Sequence, residues 1–592
     1  MNVEVVSCDL LVIGGGAAGT TAAVEAARNG ARVILVDKGF CGYGNTRIAG
    51  GIVASCGVEE GDSEELFYED IRRAGAYLND PSLVRVLVKE AAAANEEIER
   101  WGHIYLRDDG GKGYGRVRTM QAGGHRAPRT LFSPYKGRSL SHILRFALLG
   151  SGVRVLEEVA VAELLLAENR ERGVAGALCL DLVDAKHFVV SAEKTVLAAG
   201  GAGMLYFPHT DNMSCATGDG YALALLAGAE LVDMELAQYL PFALVYPADM
   251  AGINIGDPAN AGPHGVLRDN QGEIVLGDLH LKTRSEVSRC IVDAVAAGRG
   301  GPHGGLYLDL RDNLCSAEGK EAYRAGQETG MIEILRQAYG KEAARWEEPF
   351  EVYPTQHFSL GGVKIDSWGR TSVPNLYAVG EAAGGVHGAD RLGSVALAEC
   401  FVYGLRAARD ACGSLNGGKR IKGRELAEMV SEKYVRADLL ARDRIDSPIL
   451  IHPYHLKLKL GALMHRFAGV RREEKGLNET LNLINKLKEK IMTLSCRDWD
   501  GYTCLQALEA RFMILVAEAI VKSALARKES IGMHYRCDHP HPLPRWRRRN
   551  VEVALADDSK TIIAETNGEI FVRVVEKAQG ENFKGGGDSF EN

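Results

Sequence analysis

The sequence predicts an α/β protein built on a Rossmann-like domain, interrupted by an inserted α+β domain and followed by a helical one. Three observations carry that reading. Residues 8–37 run as strand, glycine turn, helix and strand. Two further strand-then-glycine segments, "TVLAAGG" (Thr195 to Gly201) and "NLYAVGEAAGG" (Asn375 to Gly385), return far along the chain. From about 413 to 535 the pattern is almost wholly helical.

Taken in order, "CDLLVI", "GGGAAG", "TTAAVEAARNG" and "ARVILVD" form a βαβ start. To about residue 150, glycine-rich loops alternate with helical stretches such as "DPSLVRVLVKEAAAANEEIERWG". "VRVLEEVAVAELLLAE" and "VAGALCLDLVDAKHFVVSAEKTVLAAGG" alternate at strand period and read as antiparallel strands returning to the parallel sheet. Residues of about 236–350 are rich in Pro and Gly with interspersed helices, as an inserted domain would be. Strand character returns from 353, and "GLNETLNLINKLKEKIM" and "CLQALEARFMILVAEAIVKSALARKES" are the clearest later helices. "NFKGGGDSFEN" is polar and reads as a frayed tail. The expected divisions are 1–235 with 353–412, then 236–352, 413–540 and 541–592.

Composition bounds the function. Hydrophobic residues at 46% and charged residues at 25% describe an ordinary globular protein, and the net charge of -8 is spread as mixed signs. Nucleic acid is therefore not an expected partner. No uncharged apolar run approaches the roughly 20 residues needed to span a bilayer. A cytoplasmic location follows as the expectation, with membrane contact only through partners. The 12 cysteines contain no CxxC pair, and "CRDWDGYTC" (Cys496 to Cys504) has neither ferredoxin nor zinc-ribbon spacing. They read as reduced, structural thiols, so any iron–sulfur relay must come from another chain. His534, His539 and His541 invite a metal reading, but prolines interrupt them and no metal is expected. "RWRRRN" (Arg545 to Asn550) is too short for nucleic acid and reads as a solvated face or subunit contact.

Glycine is the informative excess: 69 residues, bunched in loops where a backbone must approach a large ligand. Gly14, Gly16 and Gly19 hold G-x-G-x-x-G spacing between strand and helix. Gly14 permits the turn, Gly16 admits a pyrophosphate, and Gly19 lets helix and strand pack. The helix opening at Ala17 and Ala18 points its positive end at the phosphates. Asp37 closes the second strand, where a carboxylate can accept from ribose hydroxyls. An NAD domain needs only this signature. Three strand ends converging on one ligand suit the longer FAD, with Glu381 placed for its ribityl or pyrophosphate portion.

"TGDGYALALLAGAELVDMELAQY", "YPTQHFSLGGVKID", "NLYAVGEAAGGVHGADRLGS" and "RKESIGMHYRCDHP" together resemble the flavoprotein subunit family of fumarate reductase and succinate dehydrogenase, with L-aspartate oxidase as a relative. The resemblance runs from residue 8 to about 548. It implies a Rossmann-like FAD-binding domain, an inserted α+β capping domain, a helical domain and a small C-terminal segment. It extends the FAD set to Lys38, Asn45, Thr46, Gly50, Gly51, Ala199, Gly200, Asp219, Ser394 and Leu397. The implied partner is an iron–sulfur or other electron-transfer subunit.

In that family the "HGAxRLGS" arginine, here Arg391, grips a substrate carboxylate, for which a guanidinium is suited by its bidentate fork. His357 in "PTQHFSLGG" matches the histidine that bonds the same carboxylate. Arg284 in "KTRSEVS" matches the arginine that gives a proton while flavin N5 delivers hydride to the neighbouring carbon. The helix after Ser394, with Ser394 placed to cap it, would face the flavin pyrimidine ring.

The chain also departs from the pattern. The family has Q-[YF]-H-P-T where this chain reads "AQYLPFAL", putting Leu240 in place of a carboxylate-binding histidine and Phe242 near the threonine. "GDPANAGPHGVL" replaces T-E-G-x-R-G-E-G-G, with Asp257, Pro258 and Ala261 in register. In that register the proton relay is lost and Asp257 repels a second carboxylate. "GYGNTRIAGGI" lacks the flavin-linking histidine, so FAD is expected to bind non-covalently, and "ESIG" puts Ile531 where the family has arginine.

The leading expectation is hydride exchange between flavin and a carboxylate-bearing unsaturated or saturated acid, with an apolar far end unlike a standard fumarate site. Fumarate reductase or succinate dehydrogenase proper, an amino-acid oxidase, and a non-catalytic electron-transfer flavoprotein subunit remain as alternatives.

Overall fold

A computed structural model describes residues 3–107, 116–167, 173–415, 423, 425–431, 452–492, 500–546, 549–555 and 570–576. The tail from 577, and Cys496 of the late cysteine pair, lie outside the described residues.

The first domain is organised by Glu4–Ile13, whose apolar half is buried and which pairs in parallel with Val33–Val36 on one side and Lys186–Leu197 on the other. Strand order across this seven-stranded sheet is Arg154–Leu156, Val33–Val36, Glu4–Ile13, Lys186–Leu197, Val174–Asp181, Val159–Leu166. The last two pairings are antiparallel, as their alternation predicts. Lys186–Leu197 is shared: Val174–Asp181 takes its first half, while Leu376–Ala378 runs parallel to its last three residues. That arrangement brings "AAGG" and "GEAAGG" to one sheet edge, beside the glycine turn after Ile13.

The inserted domain has its own six-stranded sheet, ordered Asn254–Gly256, Ala237–Leu244, Phe350–Ser359, Leu306–Asp309, Val266–Arg268, Ile274–Leu276. A separate core of Leu267, Val287, Ile291, Leu308, Trp346 and Val352 fills it. Phe350–Ser359 runs through residue 353, so the same strand serves the insert and delivers His357 toward the first domain. Helices Pro453–Ala468, Glu474–Met492 and Gly501–Ala526 follow in the described part of the helical region. The C-terminal segment then contributes a hairpin, Arg549–Leu555 with Ile570–Glu576, to a five-stranded sheet containing Leu231–Val232 and Gly362–Lys364. Among the described residues no helix is long and apolar enough to cross a membrane.

Candidate active site and cofactor cleft

The glycine turns enclose a cleft of ≈ 310 Å³. Gly14, Gly16, Ala17, Ala18, Asp37, Lys38, Asn45, Thr46, Ala199, Gly200, Asp219 and Glu381 all line it, which brings together twelve residues picked from distant stretches. The backbone demands glycine here. Gly14 has φ +104°, and a Cβ on Gly19 would lie 1.9 Å from the Gly14 carbonyl oxygen, so helix and turn pack only without side chains. A Cβ on Gly200 would meet nothing within 4 Å, which marks open space for a ligand.

Asp37 uses its carboxylate first on the protein: Gly15 N–H donates to Oδ2 and Gly39 N–H to Oδ1, each at 2.7 Å. These bonds fix the turn and leave lone pairs facing the cleft. Thr46 Oγ1 accepts from Ala17 N–H at 3.0 Å, and Asn45 Oδ1 accepts from Met213 N–H at 2.8 Å. Lys38 points its ammonium at Thr217 (2.6 Å), Asp219 (2.8 Å) and Glu509 (2.6 Å). Burial lowers its pKa, but these two carboxylates win and raise it overall. Glu381 Oε1 accepts from Ser359 N–H at 2.9 Å. Burial raises its carboxyl to about 7, opposed by that N–H and by Arg391 and reinforced by Glu399 and Asp211. Cys215 and Cys400 also line the cleft.

Five predicted cofactor residues stand apart from the cleft wall. Gly19 serves packing. Gly50 and Gly51 form a chain crossing: a Cβ on Gly51 would lie 2.3 Å from the Lys136 carbonyl carbon. Ser394 and Leu397 belong to the start of the Val395–Gly413 helix. Ser394 holds the N-cap position at φ +62° but makes no capping bond with its side chain, contrary to the sequence reading. Its hydroxyl instead donates to the Gly393 carbonyl at 2.6 Å and pairs with Thr130 Oγ1 at 2.9 Å.

Arg391 is 7% exposed and sits on the face of Phe358, guanidinium carbon 4.9 Å from the ring centre. Gln238 from Ala237–Leu244 locks it: its Oε1 accepts from Arg391 Nη2 and its Nε2 donates to the Arg391 carbonyl, both at 2.9 Å. The same amide donates to Asp390. Arg391 Nε is buried without a hydrogen-bond partner. Burial lowers the Arg391 pKa to about 10, with Arg284 adding to the effect, yet it stays cationic at neutral pH.

Arg284 is the first residue of the Arg284–Ala296 helix, placed there by a capping box in which Thr283 and Glu286 bond each other's backbone N–H. Its Nε and Nη2 donate to the two oxygens of Asp257 at 2.8 and 2.7 Å, and its Nη1 donates to the Arg391 carbonyl at 3.1 Å. The expectation for Asp257 is corrected on this point. It is not an uncompensated anion: burial would raise its carboxyl, but Arg284, with His357 and Arg391 adding, holds it below the usual range. The carboxylate that contacts Arg284 is that of Asp257. Burial opposes the Arg284 charge and Asp257 restores it, so its pKa is raised.

His357 completes the group, with Nδ1 2.8 Å from Asp211 Oδ2. That leaves Nε2 as the ring's second polar atom. Leu240 is buried opposite Thr355, whereas Phe242 packs in the core of the insert and does not share its environment. Ile531 packs with Leu236, Phe358 and Ala389, behind the arginine. His534 is buried between Arg472 Nη1 (2.7 Å) and the Arg527 carbonyl (3.2 Å), a structural position. Gln238 and Asp211 were missed by sequence reading. Gln238 stands inside the quoted "AQYLPFAL" run, but Asp211 reaches His357 across 146 residues and carries no local signal.

Comparison with known proteins agrees with this geometry. Residues 9–397 match the FAD binding domain family and residues 457–568 match the fumarate reductase flavoprotein C-terminal family. The chain is 34% identical to one subunit of the fumarate reductase (CoM/CoB) of Methanothermobacter marburgensis, covering 93% of this chain and 97% of that protein. It is 33% identical to L-aspartate oxidase of Streptomyces coelicolor, covering 97% and 96%. Mycobacterium smegmatis Sdh1, solved in complex with UQ1, superposes with a TM-score of 0.83 at 28% identity, covering 98% and 95%. The chain belongs to the fumarate reductase and succinate dehydrogenase flavoprotein family. It is an FAD-dependent oxidoreductase flavoprotein, and the glycine-walled cleft fits that cofactor.

Proposed function

We propose that this protein exchanges a hydride between flavin and an unsaturated or saturated acid, holding one substrate carboxylate on Arg391 and His357. Non-covalently bound FAD supplies the hydride-exchanging centre. Arg391 binds and orients the carboxylate, Gln238 and Phe358 fix the guanidinium, and Asp211 turns His357 so that its free nitrogen meets the same anion. Arg284 carries the proton for the neighbouring carbon, aligned by Asp257.

The observation that carries this reading is the buried Arg391 Nε without a partner, in a guanidinium whose Nη1 and Nη2 each donate once to the protein. A buried donor left unmade costs about 1–3 kcal/mol, which an entering carboxylate recovers. Charge then selects the substrate. Arg284 is paired with Asp257, so the far end offers no surplus cation, and Leu240 stands in the place of the second carboxylate-binding histidine that the resemblance implies. A monocarboxylate such as an enoate fits better than a dicarboxylate.

A viologen-linked assay of the holoprotein against a panel of enoates and fumarate tests this. Turnover of monocarboxylates with Arg391→Ala inactive supports it; no turnover and no acid-induced flavin spectral shift overturns it. Acid precipitation releases the yellow colour if FAD is non-covalent. A second reading, a fumarate or succinate enzyme proper, is favoured by the 34% identity to the Methanothermobacter protein. Preference for fumarate in the same panel would establish it instead.

A further inference from the structure

The charges around Arg391 are balanced before any acid enters. Arg391 and Asp257 act on each other, Asp390 acts on both arginines, and Arg391 also feels Arg284 and Glu381. Asp257 in turn feels His357, which Asp211 holds through Nδ1 at 2.8 Å. Two arginines and one histidine thus stand among four carboxylates: Asp211, Asp257, Asp390 and Glu381. Even with His357 protonated and Glu381 neutral, three positive groups meet three negative ones. A substrate carboxylate on Arg391 adds a negative charge that nothing in this group offsets. An unpaired charge held away from water is strongly disfavoured, and a titratable neighbour that takes a proton removes the cost.

The partners of the four carboxylates show which one can yield. Asp257 is fixed by its two-point pair with Arg284, and Asp211 by His357. Neither guanidinium reaches Asp390. Arg284 spends Nε and Nη2 on Asp257 and Nη1 on the Arg391 carbonyl, while Arg391 spends Nη1 on the Leu392 carbonyl and Nη2 on Gln238. Asp390 receives two N–H groups instead, one from Gln238 Nε2 and one from the Arg391 backbone at 2.9 Å. Both fall on Oδ1. Neither uses Oδ2, the atom on which a carboxylic acid would carry its proton.

This carboxyl is also tied to the clamp. Gln238 is wholly buried, and its one amide holds Asp390 through Nε2 and Arg391 Nη2 through Oε1, the latter at 2.9 Å. Burial already raises the Asp390 carboxyl, against Arg284, the Gln238 amide and Arg391. A negative charge arriving on Arg391 weakens the field that keeps Asp390 ionised. The other charged groups nearby are turned elsewhere. Glu381 accepts from Ser359 N–H at 2.9 Å and lines the cofactor cleft. Arg289, further along the Arg284–Ala296 helix, donates to the Gly532 carbonyl, and His387 pairs with Glu399 at 2.7 Å.

We propose that Asp390 takes up one proton when a carboxylate binds Arg391, so that the acid enters as an anion accompanied by a proton. This rests on the carboxylate clamp proposed above and goes beyond it by supplying the clamp's counter-charge. The proton comes from water or buffer, and no bond in the acid forms or breaks. One such carboxyl balances one charge, which matches a substrate held by a single carboxylate. Because Asp390 is ionised in the free protein and protonated in the complex, the Kd for the acid rises with pH, about tenfold per unit where both conditions hold.

Isothermal calorimetry on the full-length holoprotein tests this, with crotonate as probe. Runs at neutral pH in buffers of different ionisation enthalpy give the number of protons taken up per crotonate bound, expected to be close to one. Asp390→Asn should still bind crotonate, bring the uptake to zero and make the Kd independent of pH over the same window. Asp390→Glu should restore both, and Glu381→Gln should leave the uptake in place. Crotonate binding without proton uptake by the unaltered protein overturns the proposal and needs no variant. Uptake that survives in Asp390→Asn, or is lost in Glu381→Gln, assigns the proton elsewhere and overturns it as well. An Asp390→Asn protein that keeps its FAD but no longer binds crotonate would make Asp390 a structural support of Arg391, again overturning it. Absence of any heat or flavin spectral shift with crotonate and with fumarate would instead sink the carboxylate clamp itself, so the two failures are distinguishable.

Discussion

Arg284 clasps Asp257 at two points, Nε to Oδ1 at 2.8 Å and Nη2 to Oδ2 at 2.7 Å. The carboxylate of the "GDPANAGPHGVL" stretch thus meets the arginine that starts the Arg284–Ala296 helix. In the proposed site this pair would set the charge of the far side.

Asp257→Asn should therefore change selectivity as well as stability. Losing a charged two-point pair costs about 1.5–3 kcal/mol for each hydrogen bond weakened. The surplus cation left on Arg284 then attracts a second substrate carboxylate. Fumarate or succinate should bind on the order of tenfold tighter, equivalent to about 1.4 kcal/mol, while a monocarboxylate changes little. Titration of the flavin spectrum with each acid reads this directly. Unaltered dicarboxylate affinity would mean that Asp257 does not shape the far end.

Asp211 makes a different kind of contribution, because it touches His357 Nδ1 and leaves Nε2 for the proposed carboxylate. Asp211→Ala removes the acceptor that fixes the imidazole, and the Kd for a carboxylate ligand should rise about tenfold, the worth of one charge-assisted bond lost through misorientation. Asp211→Asn keeps an acceptor oxygen and should recover most of that loss. FAD content measured on the same preparations should stay constant; a parallel loss of FAD would show a structural role only.

These two residues also show where sequence reading stops. Gly14, Asp37, Gly200 and Glu381 could be read because each obeys a local rule of turn geometry or strand-end position, whereas Thr46 came from the family resemblance; all line one cleft. Asp257 reads locally as an uncompensated anion because its partner, Arg284, lies 27 residues on. Ser394 has the residue type and position of a helix cap, yet its αL backbone turns the hydroxyl toward Gly393 and Thr130. Phe242 illustrates the same limit: strand bulges around Leu240 interrupt the alternation, and Phe242 falls into the core of the insert. Local pattern fixes backbone form, whereas charge pairing and side-chain direction depend on tertiary neighbours.

Glu381 gives a pH dependence with a definite sign. Burial raises its carboxyl to about 7, with Glu399 and Asp211 adding and the Ser359 N–H and Arg391 opposing. The unfolded chain titrates near 4.3. Above about pH 7 the folded protein must keep this charge out of water, which opposes folding; the opposition is relieved as pH falls from 7 toward 4.3. A charged Glu381 in the cleft also repels cofactor phosphates. FAD should dissociate several-fold more readily at pH 8 than at pH 6, measured by the fluorescence of released flavin. Glu381→Gln should flatten that difference; an unchanged slope would assign it to another group.

The cleft is finally tied to the helical region through Glu509, whose carboxylate bridges Lys38 at 2.6 Å and Lys457 at 2.5 Å. Its side chain is 4% exposed, with Lys38 at 15% and Lys457 at 7%. Lys38, Lys457, Asp219 and Glu509 balance as two cations and two anions. Burial raises the Glu509 carboxyl, but the two ammonium groups prevail and lower it. Glu509→Ala leaves two buried ammoniums facing one carboxylate. Removing one partner from such a cluster costs about 3–5 kcal/mol, whereas removing both charges is often neutral. Chemical denaturation should show a loss of that size, together with weaker FAD retention because Lys38 also walls the cleft. The double variant Glu509→Ala with Lys457→Met removes one charge of each sign and should recover at least half of the stability. No recovery would place the loss in packing around the Gly501–Ala526 helix and not in its charge.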